Sequence, residues 1–282
     1  MDSKKQGYLF YIFGACLYSF SDAIMKHFMP IYGVHQVTFF RTIFRFLPFL
    51  LLAFYIGVNP LKSNKVKENT FRAVLASCGT YAFMCAYSYS SMTDVFVVGL
   101  TAAIFVIPLS ILILKEKFYP KNVFAVLMGF SGICLAMRPG RGMLDIGILF
   151  AVIGAVISAL NQVIVKKLSF TESELTIIFY HNISLTAIST ITCATTFTAI
   201  TLHHIALLFV GGVIGAIAQY SIIHAFKMSS SSGLASAGYF MLIPNTLFDF
   251  FLYDKAPDAY IILGLFLIIV GSFQAFTIQS KL

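Results

Sequence analysis

Apolar runs follow one another along this chain at about 7–29, 36–58, 71–90, 94–114, 121–138, 143–165, 174–198, 204–225, 232–252 and 258–278. A helix needs about 20 residues to cross the apolar core of a bilayer, and each run is about that long. The connectors are short, and several carry turn formers, as at Asn59-Pro60 and in the serine run from Ser229 to Ser232. The fourth run contains Pro108, and its length favours a kinked span over a buried hairpin. The pattern predicts an all-α integral membrane protein with ten transmembrane helices. One detail disturbs it at once: Asp22 and Lys26 stand one helical turn apart inside the first run.

Composition supports the membrane reading. Of the 282 residues, 59% are hydrophobic and 11% charged, against about a quarter charged in a soluble domain. The net charge of +8 bears on orientation, and no nucleic-acid partner is expected from it. The lipid bilayer is the partner the composition implies. Five cysteines, Cys16, Cys78, Cys85, Cys134 and Cys193, lie in apolar segments with no CxxC pair. They read as reduced core residues, without disulfides or metal. Lys4 and Lys5 before an apolar run imitate a signal peptide, but the run is too long and lacks a cleavage site, so the first span is expected to be retained.

Lysine and arginine are unevenly placed. With the N-terminus inside, the inner side holds Lys4, Lys5, Lys62, Lys65, Lys67, Arg72, Lys115, Lys117, Lys121, Lys166, Lys167, Lys227 and Lys281. The outer side holds only Lys26, Arg138, Arg141 and Lys255, while Arg41 and Arg45 fall within the second span. By the positive-inside rule both termini are cytoplasmic.

The chain also resembles itself. Shifted by 140 residues, FGACLYSFSDAIMKHF (13–28) overlies IGAVISALNQVIVKKL (153–168), and Phe39-Phe40-Arg41 falls on Phe179-Tyr180-His181. Shifted by 139, AYSYSSMTDVFVVG (86–99) overlies AFKMSSSSGLASAG (225–238). The halves 1–140 and 141–282 are therefore expected to be two five-helix repeats. Five spans is an odd number, so the second repeat enters the membrane inverted. Inverted repeats mark secondary transporters, whose substrate site lies between the halves near mid-membrane.

With SDAIMKHF, VTFFR, Lys115-Glu116 and the glycine-rich GFSGICLAMRP (129–139), the chain resembles the drug/metabolite transporter superfamily, in its ten-span EamA-type branch. Within it, SDAIMKHF, VTFFR, VKKLSFTES (165–173) and IIFYH (177–181) are most similar to S-adenosylmethionine uptake carriers of intracellular bacteria. The resemblance implies a bacterial inner-membrane carrier that moves a small polar metabolite by alternating access. Its best-fitting substrate is S-adenosylmethionine, in uptake or in exchange with S-adenosylhomocysteine. An amino-acid or multidrug exporter of the same fold is the rival, and a membrane enzyme or assembly subunit the more distant one. Spans 3, 8 and 9 line the cavity in that family, which draws in Tyr81, Tyr220 and Tyr239.

The candidate site residues are polar groups in apolar spans. Asp22 and Lys26 share a helix face and can neutralise one another. An intramembrane carboxylate suggests function, while Lys26 can snorkel to the interface. Asp22 is expected to be balanced by Arg45 or Lys26 when the site is empty, and by a cationic substrate group or proton when loaded. Arg41 and Arg45 share a face of span 2 and need a carboxylate, a water-filled cavity or an anionic substrate group. His181 is the repeat-equivalent of Arg41. Tyrosine faces suit a sulfonium or ammonium. Asn161, Gln162, Gln219, His224 and Asn245 offer uncharged donors and acceptors, with inter-helix bonding as the structural alternative. Asp249 is a capping or ion-coupling residue.

No GxxxxGK[ST] loop, HExxH, GxSxG or Asp-rich magnesium motif occurs, so neither an ATPase nor another enzyme is expected, and no cofactor. The drive is then a coupling proton or an exchanged substrate. The charge bias yields a topological test. A cysteine placed in loop 59–70 should be shielded from impermeant thiol reagents in intact cells, and one near Thr198 should react. The reverse labelling would overturn the orientation and the inversion together.

Overall fold

In a bilayer every backbone N–H and C=O must be satisfied within the protein, and a helix does this inside one segment. The computed structural model describes residues 3–90, 92–116, 120, 123–124, 126–128, 130–131, 146–253, 260, 262–264, 266–267 and 270. Among them the chain is helical, with no strand. The elements are α1 (Ser3–Ile56), α2 (Val66–Tyr89), α3 (Met92–Leu100), α4 (Ala102–Leu114), α5 (Ile146–Leu168), α6 (Glu174–Cys193) and α7 (Leu202–Met228). After them come α8 (Ser231–Leu234), a 3₁₀ segment (Ala235–Met241) and α9 (Leu242–Tyr253).

The first two apolar runs form two helical arms that meet at Gly33 without a loop, and both are counted here within α1. A straight helix of 54 residues would reach far beyond a hydrocarbon core of about 30 Å. The chain folds back instead at Gly33, with φ 74° and ψ 162°, a conformation open essentially to glycine alone. Asp22 meets Arg41, and Tyr18 meets Arg45. A residue four positions earlier thus pairs with one four positions later, so the two arms of α1 run antiparallel.

Other runs depart from the expected pattern for local reasons. The fourth divides into α3 and α4 at Thr101, whose hydroxyl donates to Val98 O at 2.6 Å. The break therefore falls well before Pro108, which lies inside α4. The ninth is not one span but α8, the 3₁₀ segment and α9, in a stretch that carries Gly233, Gly238 and Pro244. Pro244 sits in the first turn of α9, where a missing N–H is tolerated. The fifth and tenth runs lie largely outside the described residues. Among those described, five helices are long and apolar enough to cross a membrane: Lys5–Ile56, Asp94–Leu114, Ile146–Leu168, Glu174–Cys193 and Leu202–Met228.

α1 packs chiefly on α7, and α2 on α5. Lipid tails offer no hydrophobic advantage to helix association, so close approach at small residues carries these contacts. At Gly212 a Cβ would overlap Phe44 Cβ and stand 2.9 Å from the Phe44 carbonyl carbon. Gly212→Ala should therefore lower the thermal midpoint of the detergent-purified protein, in line with an overpacking cost of about 1–3 kcal/mol. Leu112→Ala, at a side chain 76% exposed on the outer surface, should leave the midpoint within a degree or so. Equal effects would refute the close-packing account.

Candidate functional site

The helices enclose a cavity of about 300 Å³, within the range of small-molecule sites. Both arms of α1 reach it, along with α2, α3, α4, α5, α6, α7 and the 3₁₀ segment. α2 contributes Arg72, Ala76, Gly79, Phe83 and Tyr87, which recur at helical spacing and so share one face.

At the lining, Asp22 Oδ1 lies 2.5 Å from Arg41 Nη2, with the side chains 12% and 4% exposed. Arg41 Nη1 also donates to Met84 Sδ at 3.4 Å. Asp22 thus pairs with Arg41, on the second arm of α1, a partner that the sequence had not singled out beside Arg45 and Lys26. The antiparallel arms explain the choice, because residue 22 faces residue 41 across the hairpin. Lys26 lies one turn further towards the Gly33 bend and does not line the cavity.

Arg45 is 2% exposed. Its guanidinium lies 5.2 Å from the centre of the Tyr18 ring and against Gly215, where a Cβ would come within 3.0 Å of Nε and Nη2. The glycine makes room for the charged group. Arg72, 1% exposed, donates through Nη2 to Ile177 O at 2.6 Å. Sequence reasoning counted Arg72 among the inner-face cations. Its position on the Ala76–Gly79–Phe83–Tyr87 face was the signal that could have placed it in the cavity. Tyr11 and Tyr18 were also missed, because aromatic positions in a chain with 30 Phe and 14 Tyr carry little information singly.

A neutral network faces these charges. Gln219 Nε2 donates to His181 Nδ1 at 3.1 Å, and Asn182 Nδ2 donates to Gln219 Oε1 at 3.3 Å. This arrangement leaves the imidazole proton on Nε2. Gln162 Nε2 donates to Ser158 Oγ at 3.4 Å. Asn161, Gln162, His181 and Gln219 all line the cavity.

Other candidates lie elsewhere. The Tyr81 hydroxyl is 2.5 Å from Thr192 Oγ1 and ties α2 to α6. Tyr220 is exposed and stacked on His224, with ring centres 5.8 Å apart. His224 Nδ1 lies 3.2 Å from Glu174 Oε1, which also holds Lys227 Nζ at 3.2 Å. His224 thus belongs to an ionic cluster joining the end of α7 to the start of α6. Asn245 is buried away from the cavity. The side chains of Tyr239 and Asp249 lie outside the described residues.

Breaking a buried ion pair from one side leaves an uncompensated charge and costs about 3–5 kcal/mol. Asp22→Asn should therefore lower thermal stability strongly, and the double variant Asp22→Asn/Arg41→Met should recover most of the loss. A double variant no more stable than the single one would show that the pair does not act as a unit.

The sequence matches the model of the EamA-like transporter family twice, over residues 5–138 and 145–277. An S-adenosylmethionine uptake transporter of Rickettsia bellii is 25% identical over 251 residues, covering 89% of this chain and 86% of that protein. A pseudopaline exporter of Pseudomonas aeruginosa is 23% identical over 273 residues, covering 96% of each chain. A solved crystal structure matches 98% of this chain and 98% of its own with a TM-score of 0.78, at 15% identity, which is a likeness of fold. The two family matches together span almost the whole sequence, and these relatives are transporters by name. This multi-pass membrane protein belongs to the EamA-like transporter family.

Proposed function

We propose that the chain is a secondary-active carrier of the bacterial inner membrane, with both termini cytoplasmic, that moves a small polar metabolite by alternating access. Its architecture on this reading is ten spans in two inverted five-helix repeats, 1–140 and 141–282. The specific substrate proposed is S-adenosylmethionine, taken up on a gradient or in exchange for S-adenosylhomocysteine.

The observation that carries the mechanism is the composition of the cavity wall. Asp22 and Gln162 are equivalent under the 140-residue shift, as are Arg41 and His181, and all four line the cavity. Repeat-equivalent contacts also recur. A Cβ on Gly14 would meet Ala218 O at 2.9 Å, and one on Gly79 would come within 4.0 Å of Gly154 O. Gly14 corresponds to Gly154 and Gly79 to Ala218, so the same pair of positions touches twice. A site bounded by equivalent faces of two repeats suits rocking of one against the other.

For S-adenosylmethionine, the support comes from the Rickettsia relatives and from the chemistry of the wall. The rings of Tyr11, Tyr18, Phe83 and Tyr87 offer faces for a sulfonium or an adenine. Asp22 is placed to receive an ammonium group when Arg41 yields it. The Pseudomonas relative favours a second reading, export of an amino-acid-derived metabolite by the same machinery.

Purified protein in ATP-free proteoliposomes distinguishes these readings. Labelled S-adenosylmethionine should enter several-fold faster than into protein-free vesicles, driven by a proton gradient or by preloaded S-adenosylhomocysteine. No entry under either condition would remove the substrate proposed. An absolute need for ATP would remove the carrier class.

A further inference from the structure

The charges on the cavity wall do not balance. Among the described residues, Arg41, Arg45, Arg72 and Asp22 line it, and Asp22 is committed to Arg41. Arg72 has a carbonyl acceptor on α6. Arg41 and Arg72 each leave Nε without a hydrogen-bond partner among the described residues, whereas Arg45 leaves both Nε and Nη2, the two donors of one edge. A buried ion without a counter-charge is costly. An unmade hydrogen bond on a charged donor adds to that cost.

The identity of the two free donors matters. Nε–H and Nη2–H lie side by side on one edge of a guanidinium and point the same way. That edge matches the two oxygens of a carboxylate in a parallel, bidentate pair. The Tyr18 ring, 5.2 Å from the guanidinium carbon, is well placed to hold the group by its cation–π attraction without using any N–H. Gly215 leaves the space in which the edge now rests, and both nitrogens are shut from solvent there. Arg45 already lines the cavity.

We propose that Arg45 is the carboxylate subsite of this cavity, so that the transported solute carries a carboxylate held side-on by Nε and Nη2. The proposal deepens the functional reading above, because it assigns the acidic end of the solute to α1 at the level of Gly215. It also explains a buried guanidinium edge that has no acceptor among the described residues: the solute supplies one.

The experiment uses full-length purified protein and matched pairs of acids and their decarboxylated amines. The pairs are S-adenosylmethionine with decarboxylated S-adenosylmethionine, and methionine with 3-methylthiopropylamine, each scored by ligand-induced thermal stabilisation and by inhibition of uptake. Charge-assisted bonds of this kind are worth about ten- to a hundredfold in affinity. The wild type should prefer the acid by about that factor, Arg45→Gln should lower the preference to about threefold or less, and Arg45→Lys should fall between. Because Arg45→Gln could disturb folding, a cooperative thermal transition without ligand serves as its internal control. Gly215→Ala provides a second variant, since a Cβ there crowds the same two nitrogens; it should change the acid preference while leaving amine binding. Acid preference in the methionine pair without S-adenosylmethionine binding would keep the subsite and discard the substrate. S-adenosylmethionine binding that is insensitive to the carboxylate would keep the function and discard the subsite. A wild type that binds neither member of any pair, or an undiminished acid preference in Arg45→Gln, overturns the proposal.

Discussion

The Asp22–Arg41 ion pair crosses from one arm of α1 to the other in the interior of a membrane protein. In that setting a charge cannot be left to water, so each ionised group must be matched by a partner or shifted to an edge. The match constrains the chain around it. Asp22 can face Arg41 only if the two arms run antiparallel, and the arms can do so only if the helix reverses at Gly33. Once the hairpin is set, Arg45 must fall beside Tyr18, four residues further from the bend on each arm. The guanidinium then needs a gap in the neighbouring helix, and Gly215 of α7 provides it. One electrostatic requirement thus fixes the bend, the helix pairing and the position of a glycine.

Much of this was legible in the sequence because membrane insertion imposes a coarse rule that composition obeys. Apolar runs of sufficient length became helices at α2, α5, α6 and α7 with bounds close to those expected. The misses have a common cause. A run length says that a segment can span, but not that its helix is unbroken. The run at 232–252 meets the length rule, yet its glycines and Pro244 divide it into α8, a 3₁₀ segment and α9. The two runs before residue 58 are two helices, as their separation implies, but run length does not say that they join without a loop at the non-helical Gly33.

Site residues were legible where a polar group interrupted an apolar face in both repeats. Arg41 and His181 were linked in this way, Asp22 and Gln162 stood out as polar groups in apolar spans, and all four reach the cavity. Single polar residues without a repeat-related counterpart fared unevenly. Asn161 and Gln219 reach the cavity, whereas Tyr81 and His224 serve contacts between helices or at a helix end. In a span that is apolar all round, periodicity does not say which face looks inward, since lipid and core present the same chemistry. Arg72 shows the opposite error. A cation near a span end reads as an inner-face marker, and only the geometry of α2 shows that its guanidinium turns into the protein to meet Ile177 O.

On the proposed reading of two repeats, positions equivalent under the 140-residue shift carry different charges. Where the first half carries the pair Asp22 and Arg41, the second carries Gln162 and His181, and His181 is engaged by Gln219 through a neutral hydrogen bond. A symmetric cavity would bind a zwitterion in either of two orientations with equal free energy. Moving the carboxylate and two of the three guanidinium groups onto the first-half hairpin removes that degeneracy. On the proposed reading, the charged end of a bound solute belongs against α1, and its apolar or aromatic end against the rings of Phe83 and Tyr87 on α2. If the halves rock against each other as proposed, the hairpin keeps its hold on the charged end while the second half, whose cavity groups Asn161, Gln162, His181 and Gln219 are neutral, exchanges hydrogen bonds of lower cost. On the proposed carrier reading, charge on one side and neutrality on the other give one fixed anchor and one face that is easily parted from a ligand.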